Sequence, residues 1–138
     1  IEPDIAALAC ANATAGQLAQ LKVLCDEVEM LYTQGHDHIQ KDVEFHSYIA
    51  KISGNMVVER LIPVINTSVV VFANITYRRL MNETIETHRA IVSCIEKRDA
   101  VGAKCAMNMH LTYNRQAIME LITEQRSRNK IKKNTSDV

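Results

Sequence analysis

The chain has no tryptophan, only four glycines and two prolines among its 138 residues, and 4% aromatic side chains. Scarce glycine and proline disfavour a turn-rich β fold, whereas the abundant Ala, Leu, Ile, Val and Met favour helices. The formal net charge is zero, because sixteen basic residues balance sixteen acidic ones. The composition therefore gives no basic surface of the kind that grips nucleic acid or an anionic membrane.

The sequence also lacks closely spaced cysteine pairs and long apolar runs. The four cysteines are Cys10, Cys25, Cys94 and Cys105. They show no Cys-x-x-Cys spacing and no secretory leader, so we predict reduced core thiols in a cytoplasmic protein. The longest apolar run, residues 69–73, is far shorter than the roughly 20 residues of a bilayer span, which predicts a soluble protein with no membrane partner. Because the chain starts at Ile1 inside a helical pattern, we expect it to be part of a longer protein.

Apolar residues recur at helical spacing along most of the chain. Thr14 and Gln17 have capping-box spacing, and Gly35 is a natural helix stop. Pro63 either bends one long helix or divides it into two. The pattern predicts a short first helix and then helices over 15–34, 37–52, 56–81, 82–98 and from 99 onward. We therefore predict an all-α fold, an antiparallel bundle of six or seven helices. The domain spans residues 1–124, and residues 125–138 form a basic C-terminal tail, partly disordered.

Four residues with metal-binding side chains fall in phase with the apolar stripes of three predicted helices: Asp42, His46, His88 and His110. Asp42 and His46 are four residues apart, which places them on one helix face with Cβ atoms roughly 6 Å apart. Imidazoles from two facing helices could join them on one divalent cation. Burying these groups without partners would be costly, and either a shared cation or pairwise Asp–His hydrogen bonds would satisfy them. The residues alone leave both possibilities open.

The other polar candidates are weaker. We expect His36 and His38 to be exposed at a turn, although His38 extends the Asp42 and His46 row. Arg78 and Arg79 fit either a solvated pair or a guanidinium clamp for a carboxylate. Paired Glu-x-x-His motifs, a His-Glu-x-x-His motif, a glycine-rich phosphate loop and a Gly-x-Ser-x-Gly elbow are all absent from the sequence.

An ordered series of short motifs runs along the chain: Asp42-x-x-x-His46, Ser53-Gly54-Asn55, Glu86-Thr87-His88, Arg98-Asp99 and Met109-His110-Leu111. Over residues 1–122 this series resembles the FCD effector-binding domain of GntR-type bacterial transcription regulators of the FadR-like subfamily. The resemblance implies a helical bundle whose metal is held by Asp42, His46, His88 and His110. It also implies a divalent ion, but Zn, Ni, Mn and Fe all suit such ligands.

The resemblance further implies a homodimer that senses a small carboxylate or sugar-acid effector beside the metal. DNA would be bound only by an N-terminal winged helix-turn-helix domain, which this chain does not contain. Asn66, Asn74 and Arg78 of the fourth helix are our candidates for effector contacts. We expect no enzymatic activity from such a domain.

Two other functions are compatible with the residues. A metal-dependent hydrolase or oxygenase could use the same Asp/His₃ site, but the nearest general base, Glu44, points about 160° away from Asp42 around the helix. A metal-free interaction bundle is the third alternative.

Overall fold

The computed structural model describes residues 1–77 and 79–136, and these form six α-helices and no strand. The helices are α1 (Glu2–Asn12), α2 (Ala15–Thr33), α3 (Ile39–Ile52), α4 (Met56–Thr76), α5 (Met81–Glu96) and α6 (Ala100–Ser136). The prediction of an all-α bundle is confirmed. Short connections at residues 53–55 and 97–99 join α3 to α4 and α5 to α6, and each pair packs together as an antiparallel hairpin.

The helix ends follow the predicted local signals. Thr14 Oγ1 accepts a hydrogen bond from the Gln17 backbone N–H, and Gln17 Oε1 accepts one from the Thr14 backbone N–H, which completes the capping box of α2. Gly35 takes a φ of 75° just after α2, a conformation that costs glycine little. Asp99 Oδ1 accepts a 2.8 Å hydrogen bond from the Gly102 N–H and so caps α6.

The fourth predicted helix is a single helix that continues through Pro63. By length and composition α4 is the one helix in the described part of the chain that could cross a bilayer, since it has 21 residues and contains an 18-residue window with a mean hydropathy of 1.7. The short apolar run at residues 69–73 did not indicate this. However, α4 packs against α3 and α6 and buries Ile65 and Val69 against the core, as the helix of a bundle does.

The core brings α3, α5 and α6 around one interior point. Helix α1 contacts all three of them, and its Ala6 and Ala9 are fully buried, which permits close approach of the helix backbones. The largest side chains buried in the same core are Leu21, Phe45, Ile49, Ile52, Ile91, Ile95 and Met107. Residues on the inner faces of these helices therefore meet inside the bundle.

The cysteines match the prediction in part. All four are free thiols, and Cys10 and Cys25 are buried. The core assignment is wrong for Cys105, which is exposed, because it lies on the outward side of α6. The basic segment 125–136, for which the sequence predicts partial disorder, is the last part of α6, and all its side chains are exposed.

Candidate metal centre

The four candidate ligands meet in the interior of the bundle, where all four are buried. Helix α3 supplies Asp42 and His46, α5 supplies His88 and α6 supplies His110. One ring nitrogen from each histidine lies within 4.8 Å of the others. The Asp42 Oδ1 atom lies 3.3 Å from His88 Nε2 and 3.5 Å from His46 Nε2. The three helices thus place a carboxylate and three imidazoles around one small space.

The donor atoms fit a divalent cation better than they fit one another. Asp42 Oδ1 and both ring nitrogens of His88 are buried and accept or donate no hydrogen bond within the described residues. Pairwise hydrogen bonding, the alternative that the sequence left open, therefore does not satisfy Asp42 and His88. Two ligands at about 2.1 Å from a tetrahedral ion lie about 3.4 Å apart, close to the separations seen here. The cluster has the composition and spacing of a metal-ligand set.

Two further side chains orient the histidine rings. Glu2 Oε2 lies 2.7 Å from His46 Nδ1, and Thr87 Oγ1 lies 3.0 Å from His110 Nδ1. The Glu2 carboxylate can only accept, so His46 donates from Nδ1, and its Nε2, on the side of Asp42, is the atom available to a cation. Two backbone carbonyls, of Glu83 at 2.6 Å and of Thr84 at 3.2 Å, accept from the Thr87 hydroxyl, so its oxygen accepts from His110 Nδ1. Both contacts fix the tautomer in which Nε2 can bind a cation.

Burial dominates the electrostatics of the centre. It raises the pKa of Asp42 to about 6, against the attraction of nearby His46. Burial lowers the pKa of His88 and His110 far below the usual value, and the neighbouring histidines lower it further, so both rings are neutral at pH 7. For His46, burial opposes the charged form, but the charge and hydrogen bond of Glu2, together with Asp42, leave its pKa raised.

The pKa of Glu2 is also shifted by its pairing with His46. Its burial raises the pKa of the carboxyl group, but the charge of His46 and the hydrogen bond to its ring leave that pKa lowered overall. Glu2 is therefore a carboxylate at neutral pH. It lies in the first turn of α1, and the sequence analysis did not identify it. Its acidic side chain ahead of Pro3 carries no periodic signal that connects it to α3.

A cavity of about 20 Å³ adjoins the cluster. This volume admits one ion or water molecule, for which about 10–15 Å³ suffices. Asp42, His46 and His110 line it, together with Glu2 and residues of α4, α5 and α6. Asn114, whose amide donates a 3.1 Å hydrogen bond to the His110 carbonyl, is among the polar residues of its wall.

Two of the predicted effector contacts, Asn66 and Asn74, lie away from the four candidate ligands. Asn66 accepts a hydrogen bond from Ser47 and lines a separate cavity with Glu44. Asn74 is exposed, and its amide donates to the Val70 carbonyl one turn earlier. Arg78 lies outside the described residues. The described structure brings neither Asn66 nor Asn74 to the metal ligands.

The acidic and basic neighbours of these residues also have partners. Glu44 forms an ion pair with Lys41 at 2.8 Å on the side of α3 away from the cluster. Arg79 pairs with Glu124 at 3.0 Å on the surface. Glu44 is thus not placed to act as a general base at the metal ligands.

The two histidines of the α2–α3 turn behave differently. His36 is exposed, as predicted, but the prediction is wrong for His38, which is fully buried. The His38 ring stacks on Tyr32, with ring centroids 3.6 Å apart and planes at 25°. The spacing of His38, Asp42 and His46 along one helix row was the signal that could have predicted this burial.

Comparison with known proteins matches the chain to one protein family. The sequence model of the FCD domain matches residues 1–113. Over 128 residues the chain is 30% identical to the Uxu operon regulator of Haemophilus influenzae, and this stretch covers 88% of the chain and 48% of that protein. The chain therefore spans about half the length of the curated relative that it matches.

Two solved structures have a similar fold. Streptococcus agalactiae GntR has a TM-score of 0.73 at 36% identity, over 84% of this chain and 54% of that one. E. coli McbR/YncC has a TM-score of 0.74 over 88% of this chain and 60% of that one. The second identity is only 19%, so this likeness concerns the fold alone.

Proposed function

Because this chain belongs to the FCD domain family of GntR-type transcription regulators, we propose that it is the effector-sensing domain of such a regulator. In this proposal it binds a small organic or sugar acid beside a divalent metal. The observation that carries the proposal is the convergence of four buried ligands, Asp42, His46, His88 and His110, from three helices. The unsatisfied Asp42 and His88 atoms support a metal over a metal-free polar core.

The residues of the centre have distinct tasks in this proposal. Asp42 and the Nε2 atoms of His46 and His110 hold the ion with His88, while Glu2 and Thr87 keep the rings of His46 and His110 in the required tautomer. Once a divalent ion is bound, three neutral imidazoles and one carboxylate leave it with net positive charge, which favours an acidic effector nearby. Zn, Ni, Mn and Fe all accept such ligands, so the metal is defined only as a class.

Control of DNA binding would pass through α1. Glu2 belongs to the first turn of α1 and holds His46 of α3, so the position of α1 is tied to the metal centre. An effector that binds better to one position of α1 shifts the protein toward that position. By linkage, the same preference changes the affinity of an N-terminal winged helix-turn-helix domain for DNA.

We also propose that residues 1–124 are the sensing domain, with residues 125–138 as a basic extension, and that the regulator is a cytoplasmic homodimer. The exposed valines of α4, Val57, Val64 and Val71, support an interface because they are spaced by seven residues and follow one side of the helix. No enzymatic reaction is needed in this account, and the matched relative is named as a regulator.

A thermal-shift screen of organic and sugar acids on the metal-loaded protein tests the sensor function. We expect at least one acid to raise the Tm of the wild-type protein and to leave the His110→Ala variant unchanged. The screen needs His36→Ala as a control, since His36 is exposed. Metal-dependent turnover of model esters or phosphodiesters that disappears in His88→Ala would instead assign a catalyst.

A further inference from the structure

A second, much larger cavity adjoins the metal centre. Its volume is about 510 Å³, within the roughly 300–1,000 Å³ typical of small-molecule sites. It lies between the start of α1, one side of α4 and the middle of α6. Most of its wall is apolar and includes Leu61, Val64, Ile65, Phe72, Ile118 and Met119.

The two cavities share three wall residues, Glu2, Phe72 and Leu111. The cavity at the ligand cluster, about 20 Å³, holds one ion or water but no organic molecule. An effector that acts beside the metal must therefore place its body in the larger cavity. This step rests on the proposed sensor function.

The polar groups of the larger cavity are few. Glu2 is held by the ring of His46, and the Ser68 hydroxyl donates to the Val64 carbonyl at 3.0 Å. Arg115 is the one cationic side chain of the described wall, and it forms no ion pair within the described part of the chain. It lies four residues, about 6 Å along α6, beyond the shared residue Leu111.

From these walls we propose that the effector is a monocarboxylate with an apolar body, seated between α4 and α6 with its carboxylate on Arg115. A guanidinium binds a carboxylate with two parallel hydrogen bonds. The aliphatic and aromatic wall accepts the body of the ligand. A sugar acid fits this wall poorly, because its hydroxyls would face mostly aliphatic side chains, and besides Glu2 and Arg115 the described wall offers only the Ser68 hydroxyl.

Calorimetric titration of the purified, metal-loaded protein tests the inference with three probes. Octanoate carries both the carboxylate and the apolar body, 1-octanol lacks the charge and gluconate replaces the apolar body with hydroxyls. We expect saturable binding of octanoate, and binding at least tenfold weaker for octanol and for gluconate.

Two pairs of variants locate the site. Arg115→Gln should weaken octanoate binding at least tenfold, whereas Arg126→Gln, which removes the same charge from an exposed position of the same helix outside the cavity, should not. Val64→Asn places an amide in the wall and should weaken binding similarly. Val70→Asn changes an exposed valine of α4 that lies outside the cavity and outside the proposed dimer interface, and it should have no effect. Circular dichroism checks the fold of each variant.

Three outcomes overturn the inference. One is gluconate binding without octanoate binding. Another is equal loss of octanoate binding in Arg115→Gln and Arg126→Gln. The third is a dimer that Val64→Asn converts to monomer while octanoate does not bind, which would show that a second copy covers the cavity. Each outcome leaves the metal centre intact, whereas a protein without metal refutes the sensor function itself.

Discussion

The Asp42 carboxylate of α3 lies 3.3 Å from the Nε2 atom of His88 of α5. The two groups form no hydrogen bond, although both are buried. A separation of this size is expected for two ligands of one cation, and leaving both groups unsatisfied would otherwise destabilise the fold. The metal-binding interpretation depends most directly on this pair.

Glu2→Gln should lower the affinity for the metal about 10- to 100-fold, because the glutamine keeps the shape but loses the charge that holds the His46 ring. The affinity can be measured by competition with a chromogenic chelator. Asp4→Asn is the matched control, since Asp4 lies on the same helix but pairs with Lys104 on the surface. Equal affinities for the two variants would refute the role of Glu2.

Thr87→Val should also weaken metal binding, by about tenfold, because the valine cannot accept the hydrogen bond from His110 Nδ1. Thr87→Ser retains the hydroxyl and should restore most of the affinity. Thr67→Val is the control, since Thr67 makes only an exposed hydrogen bond to its own helix. If serine and valine bind metal equally at position 87, the hydroxyl does not orient His110.

The stability of the metal-free fold should depend on pH, because burial shifts the pKa values of the candidate ligands. The pKa of Asp42 is raised from 3.8 to about 6. In the metal-free fold, Asp42 therefore contributes to the free energy of unfolding below about pH 4, and this contribution is lost as the pH rises through about 6. The lowered pKa values of His88 and His110 have the opposite effect. These neutral histidines contribute to the free energy of unfolding above about pH 6.5, and this contribution is lost as the pH falls.

A bound cation competes with the protons of Asp42 and His46. The rise in Tm on adding metal should therefore be largest above about pH 7 and decrease as the pH falls through about 6. Thermal unfolding with and without metal between about pH 5 and pH 8 measures this difference. A Tm rise independent of pH would show that the cation binds groups that do not titrate in this range.

The helices and the burial of the four candidate ligands could be predicted because both depend on local spacing. The Thr14 cap, the Gly35 stop and the phase of His88 and His110 are all visible within a few residues of sequence. The contact of Glu2 with His46 could not be predicted, because it joins residues 44 positions apart and only the packing of α1 on α3 creates it.

The burial of His38 and the larger cavity also depend on packing. His38 is buried because Tyr32 of the preceding helix covers it, although the sequence places it at a turn. The cavity beside the metal centre forms where α1, α4 and α6 meet, and helical phase does not predict a volume. The sequence indicated effector contacts at Asn66, Asn74 and Arg78, whereas among the described residues Arg115 is the cationic side chain in the wall of this cavity.

Metal content tests the central claim most directly, measured by elemental mass spectrometry on protein purified without a metal-affinity tag. The wild-type protein and the exposed-site control His36→Ala should each carry about one divalent ion per chain, and Asp42→Ala and His110→Ala should lose it. A wild-type protein without metal, or the same metal content in all four proteins, would contradict the assignment of these residues as a metal centre.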